Sequence, residues 1–383
     1  MTERPKIMVS PGPVHIDPAR WRDLPLMHHR SEPFREIFRD TTRMLAALLG
    51  TASPVHLVTA SGTGAMEMAL ANCTRPGSIL LVVSGGKFGD RWAEIGEAFG
   101  CRTEILSFEW GKAIEPARVV DRAREMKPDC IALTHVESST GLLCPLEEIA
   151  RNLPDPRPVV LVDAIASLGV ETLRMDEWGV DAVAAASQKA LAAPPGLGFV
   201  SLGERARAVA DSIERPRYYF SLERYENGYP GGDTPFTPAV QTVQLVHESL
   251  TIMERLGWEE AARRHRQAAS AFMEAAGRLS LRSLPETPSS AVQTFLLPDG
   301  CAGRRVIEQL YNKHGVIMAG GQQSLAGKAV RTGFLGIHSG RRLGDVVRAV
   351  GQVLGEAGFE VDTSGAAESI SKISDQAAIF SHT

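Results

Sequence analysis

The chain has 383 residues, 44% of them hydrophobic, which is enough for one large core and a smaller one and excludes a disordered polymer. Its 41 lysines and arginines against 45 aspartates and glutamates leave a formal charge of −4, so composition offers no surface for nucleic acid. The five cysteines contain no C-x-x-C pair, the start lacks a signal-peptide core, and no apolar run approaches the ~18 residues of a membrane span. The expectation is a reduced, cytoplasmic protein with no membrane or metal partner.

Near the start, Ser10-Pro-Gly-Pro13 makes a rigid turn that suits neither a helix interior nor a central strand. An imperfect helical stripe runs from Glu36 to Leu49 and stops at Gly50. A strand over Val55–Val58, a small-residue turn over Thr59–Gly64 and a helix over Ala65–Ala71 follow. The alternation continues with strands at 79–83, 102–106, 130–134, 159–162, 181–186 and 197–201, and helices at 90–99, 116–126 and 146–151. Strands that are apolar throughout and separated by helices predict a mainly parallel sheet covered on both faces, with ligand chemistry at the carboxyl ends of the strands.

Beyond Leu202 the character changes to a loop-rich stretch over 215–238, rich in glycine, proline and aromatics, of the kind that serves function or covers a neighbour. Helices are expected at 239–256 and 258–279. A smaller α/β unit follows, with strands near 291–297 and 330–334 and helices near 303–314 and 341–356. The expected organisation is an arm over residues 1–14, a large domain over 15–256, a small C-terminal domain over 257–362 and a frayed, small-residue tail over 363–383.

Four strand ends carry chemistry. Lys189, in Ser187-Gln188-Lys189, follows a buried strand and precedes Pro194-Pro195-Gly196, which bars a helix. An ammonium there is costly unless paired, deprotonated or covalently used; the ordinary alternative is a lysine that reaches solvent. Asp163 closes an apolar strand and needs a cationic partner, or else serves as a structural hydrogen-bonding group. Ser61-Gly62-Thr63-Gly64 places small residues at a helix N-terminus, where backbone N–H groups can approach a phosphate. Phe88, in the glycine-rich Gly85–Gly89, could stack on a planar ring or simply fill the core. An imine-forming lysine, an acid for a pyridine nitrogen, an anion nest and an aromatic lid together describe a pyridoxal phosphate site.

Eight segments in order carry a family resemblance: Ser10-Pro-Gly-Pro13, Ala60-Ser-Gly-Thr-Gly64, Gly86-Lys-Phe-Gly-Asp-Arg-Trp92, Thr134-His-Val-Glu-Ser-Ser-Thr-Gly141, Leu161-Val-Asp-Ala-Ile-Ala-Ser167, Ser187-Gln-Lys189, Thr234-Pro-Phe-Thr-Pro238 and Arg331-Thr-Gly-Phe-Leu-Gly336. They resemble the class V aminotransferases, and within them the alanine/serine–glyoxylate branch. The resemblance implies the fold type I α/β architecture of pyridoxal-phosphate enzymes, with a mainly parallel, seven-stranded-type sheet in a large cofactor-binding domain and a smaller α/β domain.

Position by position, it implies that Lys189 is the Schiff-base lysine and that Gln188 is a phosphate ligand. Asp163 matches the partner of the pyridine nitrogen, Ile165 and Phe88 lie on the two faces of the ring, Ser61, Gly62 and Thr63 form the phosphate cradle, and Ser138 lies near the cofactor. Thr234 and Thr237 match residues reaching the neighbouring subunit's phosphate, so a homodimer is implied. Arg331, with Gly12, matches the substrate site, the arginine as a planar bidentate clamp for a carboxylate.

The expected reaction moves an amino group from alanine or serine to glyoxylate or pyruvate. Alternatives within the class are aminoethylphosphonate or ureidoglycine transamination, elimination and carbon–carbon bond chemistry. A desulfurase would need a mobile cysteine at a loop tip, and none of the five has that setting. A nicotinamide dehydrogenase is disfavoured by the missing G-x-G-x-x-G spacing, and a non-catalytic protein of the same fold by the joint lysine, aspartate and arginine. Of the remaining polar clusters, His28-His29 read as loop packing or a substrate contact, Arg263–Arg266 as a solvated helix face, and His135 as packing or support for the cofactor pocket.

Overall fold

The computed structural model describes residues 6–16, 18–214, 216–336, 340–371, 373 and 379–380. Seven strands form the central sheet: β1 (Val55–Val58), β2 (Ile79–Ser84), β3 (Arg102–Ser107), β4 (Cys130–Thr134), β5 (Val159–Asp163), β6 (Ala182–Ala186) and β7 (Gly198–Leu202). Their spatial order is β1-β7-β6-β5-β4-β2-β3. Only β7 is antiparallel to its neighbours, so the carboxyl ends of β1, β2, β4, β5 and β6 gather on one edge. The sheet is the mainly parallel one that the apolar runs predict.

Alternation along each strand divides the core into two layers. Leu81, Val83, Ile131 and Leu133 pack with Phe34, Phe38 and Leu45 of helix α1 (Glu32–Leu49). Leu80, Val82, Cys130 and Ala132 face the other way, onto Met66 and Leu70 of α2 (Gly62–Cys73) and Trp92 of α3 (Lys87–Ala98). Both faces of the sheet are therefore dry, which is why its strands can be apolar at every position. β3 lies at the edge and carries the Arg122–Glu104 ion pair on its outer side, a polar border against further pairing.

Helix ends depart from the sequence reading where proline and distant groups intervene. α1 begins at Glu32 rather than Glu36, since Pro33 in its first turn removes an N–H that has no helical partner anyway. It ends at Gly50, whose φ of 65° is the left-handed cap that a side chain resists. α3 begins at Lys87, so Phe88 stands on its first turn and not on a loop. The stretch 216–238 is also less irregular than its composition predicts, with a helix over Leu222–Gly228 and a 3-10 turn over Tyr229–Gly231; Arg215 lies outside the described residues.

Beyond helix α4 (Val240–Leu256), α5 (Trp258–Arg278) leads to a second, antiparallel sheet of β8 (Arg282–Ser283), β9 (Val292–Leu296), β10 (Ala319–Gly320) and β11 (Ala329–Gly333), in the order β8-β9-β11-β10. Its apolar cluster joins Phe272, Phe295 and Phe334 with Leu310 of α6 (Gly303–His314) and Val347 of α7 (Gly340–Glu356). The N-terminal Ile7–Met8 pairs with Val316–Ile317, tying the arm to this unit.

The frayed tail expected from residue 363 is corrected in part: Thr363–Ser371 forms a helix, α8, with Ala366 and Ile370 buried in the same cluster. Two apolar residues at i, i+4 among small polar ones make a weak signal, yet they suffice once α5 and α7 provide a surface. The last residues, including 374–378 and 381–383, lie outside the described residues. Among the described residues no helix is long and apolar enough to cross a membrane.

Candidate active site

The carboxyl ends of the parallel strands and the N-terminal arm close around a cavity of about 230 Å3. Lys189 enters it from the connection between β6 and β7. That loop is closed on itself by Ser187 N to Leu197 O at 3.0 Å and Ala192 N to Lys189 O at 2.9 Å, so the lysine backbone has little freedom. Its Nζ donates to Pro11 O at 2.6 Å. Gly12 follows at φ +125°, where a Cβ would lie 2.7 Å from Nζ, so the arm can cross the lysine only with a glycine there.

Asp163 ends β5 and is 4% exposed; its Oδ1 accepts from Ile165 N at 2.7 Å. Burial pushes its carboxyl up to about 7, with the charge of Glu137 adding to the rise and Lys189 opposing it. Burial also pulls the Lys189 amine down to about 8, against the attraction of Asp163 and with help from Arg331. Both groups therefore change charge near neutrality, in a cavity at the strand ends.

Ser61, Gly62 and Thr63 line the wall made by the start of α2. Ser61 Oγ accepts from Gly64 N at 3.3 Å, and a Cβ on Gly62 would come within 2.6 Å of Ile165 Cδ1. Gln188 lines the same space, and its buried Oε1 has no hydrogen-bond partner. Phe88 and Ile165 are also on the wall. Arg331 comes from β11 of the second sheet. Its Nη1 donates to Ser138 O at 2.8 Å and its Nε to Gly320 O at 2.9 Å, so two backbone carbonyls aim a guanidinium that is only 8% exposed. Ser138 itself lines the cavity.

Three of the expected residues are not on the cavity wall: Arg331 meets it only through Ser138, and two threonines lie elsewhere in this chain. Thr234 is buried with Oγ1 donating to Phe236 O at 2.6 Å, and Thr237 is exposed; neither lines the cavity. His135 is a buried packing residue, Nδ1 3.0 Å from Ser167 Oγ, pulled down to about 4 by desolvation. The loop pair His28 and His29 lies with ring centroids 4.6 Å apart. Among the described residues no cluster of metal-ligating side chains occurs.

Sequence reasoning missed two residues. Arg91 lines the cavity, its guanidinium 4.7 Å from the Phe88 ring centroid and its Nη1 3.3 Å from Thr63 Oγ1. Glu137 is a carboxylate buried just beyond the end of β4. Its signal was available, since an acidic residue three positions past the wholly apolar-flanked strand end at Thr134 has to be satisfied somewhere if the chain there stays buried.

The set suits a planar phosphorylated pyridine. The N-terminus of α2 and the amide of Gln188 bring N–H donors to the cavity wall, as a phosphate requires, and a carboxyl buried without a cation in hydrogen-bond contact matches a protonated ring nitrogen.

Comparison with known proteins places this geometry. The class-V aminotransferase family model matches residues 22–347. The chain is 34% identical to the soluble hydrogenase 42 kDa subunit of Anabaena cylindrica, over 94% of this chain and 96% of that one. It is 30% identical to the alanine–glyoxylate aminotransferase of Callithrix jacchus, over 89% and 86%. The solved ureidoglycine–glyoxylate aminotransferase of Bacillus subtilis superposes with a TM-score of 0.90 at 25% identity, covering 97% and 98% of the two chains. With its sheet, its strand-end lysine and aspartate and a match over most of its length, the chain belongs to the class V aminotransferases, a pyridoxal-phosphate-dependent family.

Proposed function

We propose that the protein is an aminotransferase that moves an amino group from alanine or serine to glyoxylate or pyruvate, and that it works as a homodimer. The observation that carries this reading is Arg331, held by two carbonyls beside the cavity of Lys189 and Asp163. A fixed guanidinium binds one carboxylate in two parallel hydrogen bonds, which orients the α-carbon of an amino or 2-oxo acid. The alanine–glyoxylate aminotransferase of Callithrix jacchus, at 30% identity, supports a small donor. The two aminotransferases compared above share glyoxylate in their names, which supports that acceptor.

When bound, pyridoxal phosphate supplies an aldehyde for the amino group and a ring that accepts electron density. The chain supplies the rest. Asp163 Oδ atoms would hold the proton on the ring nitrogen. The start of α2, with Ser61 and Thr63, and the amide of Gln188 would take the phosphate. Ile165 and Phe88 would hold the ring between them. Lys189 Nζ would attach the resting cofactor and then move a proton to and from the substrate α-carbon, a task suited to an amine near 8. Gly12 keeps the arm close enough for Pro11 O to orient that amine.

Thr237 is exposed and away from its own cavity, which supports a role in the site of a second copy. The reading is tested by offering the holoenzyme a panel of amino donors with glyoxylate and pyruvate, and following the cofactor's visible absorbance and the products. Alanine or serine as best donor is expected. A clear preference for ureidoglycine, an aminophosphonate or a dicarboxylic donor would replace the substrate assignment.

A further inference from the structure

Glu137 does not line the cavity, yet it accepts from the backbone of Phe88 and directly precedes Ser138, both of which do. The side chain is 2% exposed, and its partners are N–H and O–H groups rather than a cation. Oε2 accepts from Phe88 N and Gly89 N, both at 2.9 Å, at the first turn of α3. Oε1 accepts from Ser139 N at 3.0 Å and from Ser139 Oγ at 2.6 Å. Ser139 Oγ in turn accepts from Lys87 N at 3.1 Å. A carboxylate can take four donors in this way; an amide of the same shape cannot, because one of its ends donates. The approach is close enough that a Cβ on Gly86 would lie 2.7 Å from Glu137 Cδ and would overlap Ser139 Oγ.

The same short turn offers its next carbonyl, Ser138 O, to Arg331 Nη1. The backbone that aims Arg331 and the helix start that presents Phe88 are thus fastened to one buried carboxylate. We propose that Glu137 is a positioning residue that couples the Phe88 face of the cofactor pocket to the Arg331 carboxylate clamp. Neither contact is chemical participation: Glu137 acts through Phe88 on cofactor binding and through Ser138 on Arg331. The inference rests on Phe88 and Arg331 having the roles proposed above, and the test separates the two levels.

Glu137→Gln keeps shape and size. Cofactor affinity is read from fluorescence quenching of the apoprotein titrated with pyridoxal phosphate. The carboxylate site is read from perturbation of the holoenzyme's visible spectrum by acetate, both below the onset of melting. Phe88→Ala should weaken the cofactor alone and Arg331→Leu the acetate alone. Glu137→Gln should weaken both, each by roughly tenfold, the scale of losing hydrogen bonds to a charged group. In the Phe88→Ala background the Glu137 effect on the cofactor should vanish, and in the Arg331→Leu background so should its effect on acetate.

Affinities within twofold of wild type, or effects fully additive with Phe88→Ala and Arg331→Leu, would overturn the coupling while leaving the site roles in place. If Phe88→Ala and Arg331→Leu themselves change nothing, the site roles fail and the coupling with them. Should Glu137→Gln not fold, Ser139→Ala keeps the carboxylate but cuts the link to Lys87 N; about threefold weaker binding of both ligands is expected, and wild-type values would overturn the proposal.

Discussion

Asp163 is buried at the end of β5 and the partly buried Lys189 lies just past β6, each with its carboxyl or amine facing a cavity walled by the same chain. Thr237 stands exposed in a segment where Tyr218 is also largely exposed and where Tyr219 stacks on Phe236 with ring centroids 4.8 Å apart. The first region meets its own needs: its charges have been shifted toward neutrality by burial, Lys189 Nζ donates to Pro11 O, and Asp163 Oδ1 accepts from Ile165 N. The second presents groups that nothing in the same chain's cavity uses. The difference teaches that buried, charge-shifted groups gather at the edge of one sheet, while polar and aromatic groups of the second region face outward, where the reading proposed here places a second copy.

The comparison breaks most sharply at the lysine. Lys189→Ala should cut turnover on the order of 1000-fold or more, the scale of a lost general base, while the protein still takes up cofactor as seen by absorbance. Near-normal turnover would place the proton transfer elsewhere. Arg331→Leu comes next: kcat/KM for carboxylate substrates should fall about 100-fold with cofactor affinity unchanged, since a bidentate charged contact is removed from the substrate alone. An equal loss of cofactor affinity would move Arg331 to the phosphate.

Asp163 sharpens the buried side through pH. Its carboxyl rises from an ordinary 3.8 to about 7 in the folded apoprotein, so the stability it contributes is full below about 4 and is lost as pH rises through 7. Lys189 moves the opposite way, from 10.5 to about 8; its burial penalty is greatest below 8 and is relieved as pH rises toward 10.5. Asp163→Asn should therefore melt higher than wild type as an apoprotein near pH 8, with the gap closing toward pH 4, while binding the cofactor more weakly. A variant that melts lower than wild type at pH 8 would show that the charged carboxylate is compensated by a partner the apoprotein already holds.

The smallest effect is expected on the outward side. Thr237→Ala should weaken cofactor binding by about tenfold at most, the value of one hydrogen bond to a charged group. Mixing Thr237→Ala with Lys189→Ala subunits should restore one site of wild-type affinity in the mixed dimers, because the intact threonine and lysine then meet across the interface. No recovery on mixing would assign Thr237 to its own chain and remove the contrast between the two regions.

Much of this was legible in order along the chain. Runs such as Val159–Val162 and Ala182–Ala186, apolar at every position, announce strands covered on both faces, and the polar residue that ends each is conspicuous for that reason. Asp163, Lys189 and the Ser61 turn stand out on that ground. Phe88 was identified but misplaced onto a loop, because the group that satisfies the first turn of α3 lies 49 residues away, on Glu137. Arg91 was hidden as one polar residue on an amphipathic helix, where arginine normally faces water. The α8 helix was hidden because its anchoring surface, α5 and α7, is remote in sequence.

The sequence by itself determined the class of sheet and the placing of Lys189 and Asp163 at strand ends, since these follow from local apolar runs, turn residues and the cost of ending a buried strand on a charge; the cofactor followed from the family resemblance. Only the tertiary structure decided that β7 returns antiparallel between β1 and β6, that a glycine in the arm crosses the lysine, and that the Glu137 carboxylate accepts from Phe88 N while the next residue's carbonyl holds Arg331. The reason is physical: strand direction and hydrogen-bond partners far apart in the chain are set by which surfaces meet, and no window of neighbouring residues contains that information.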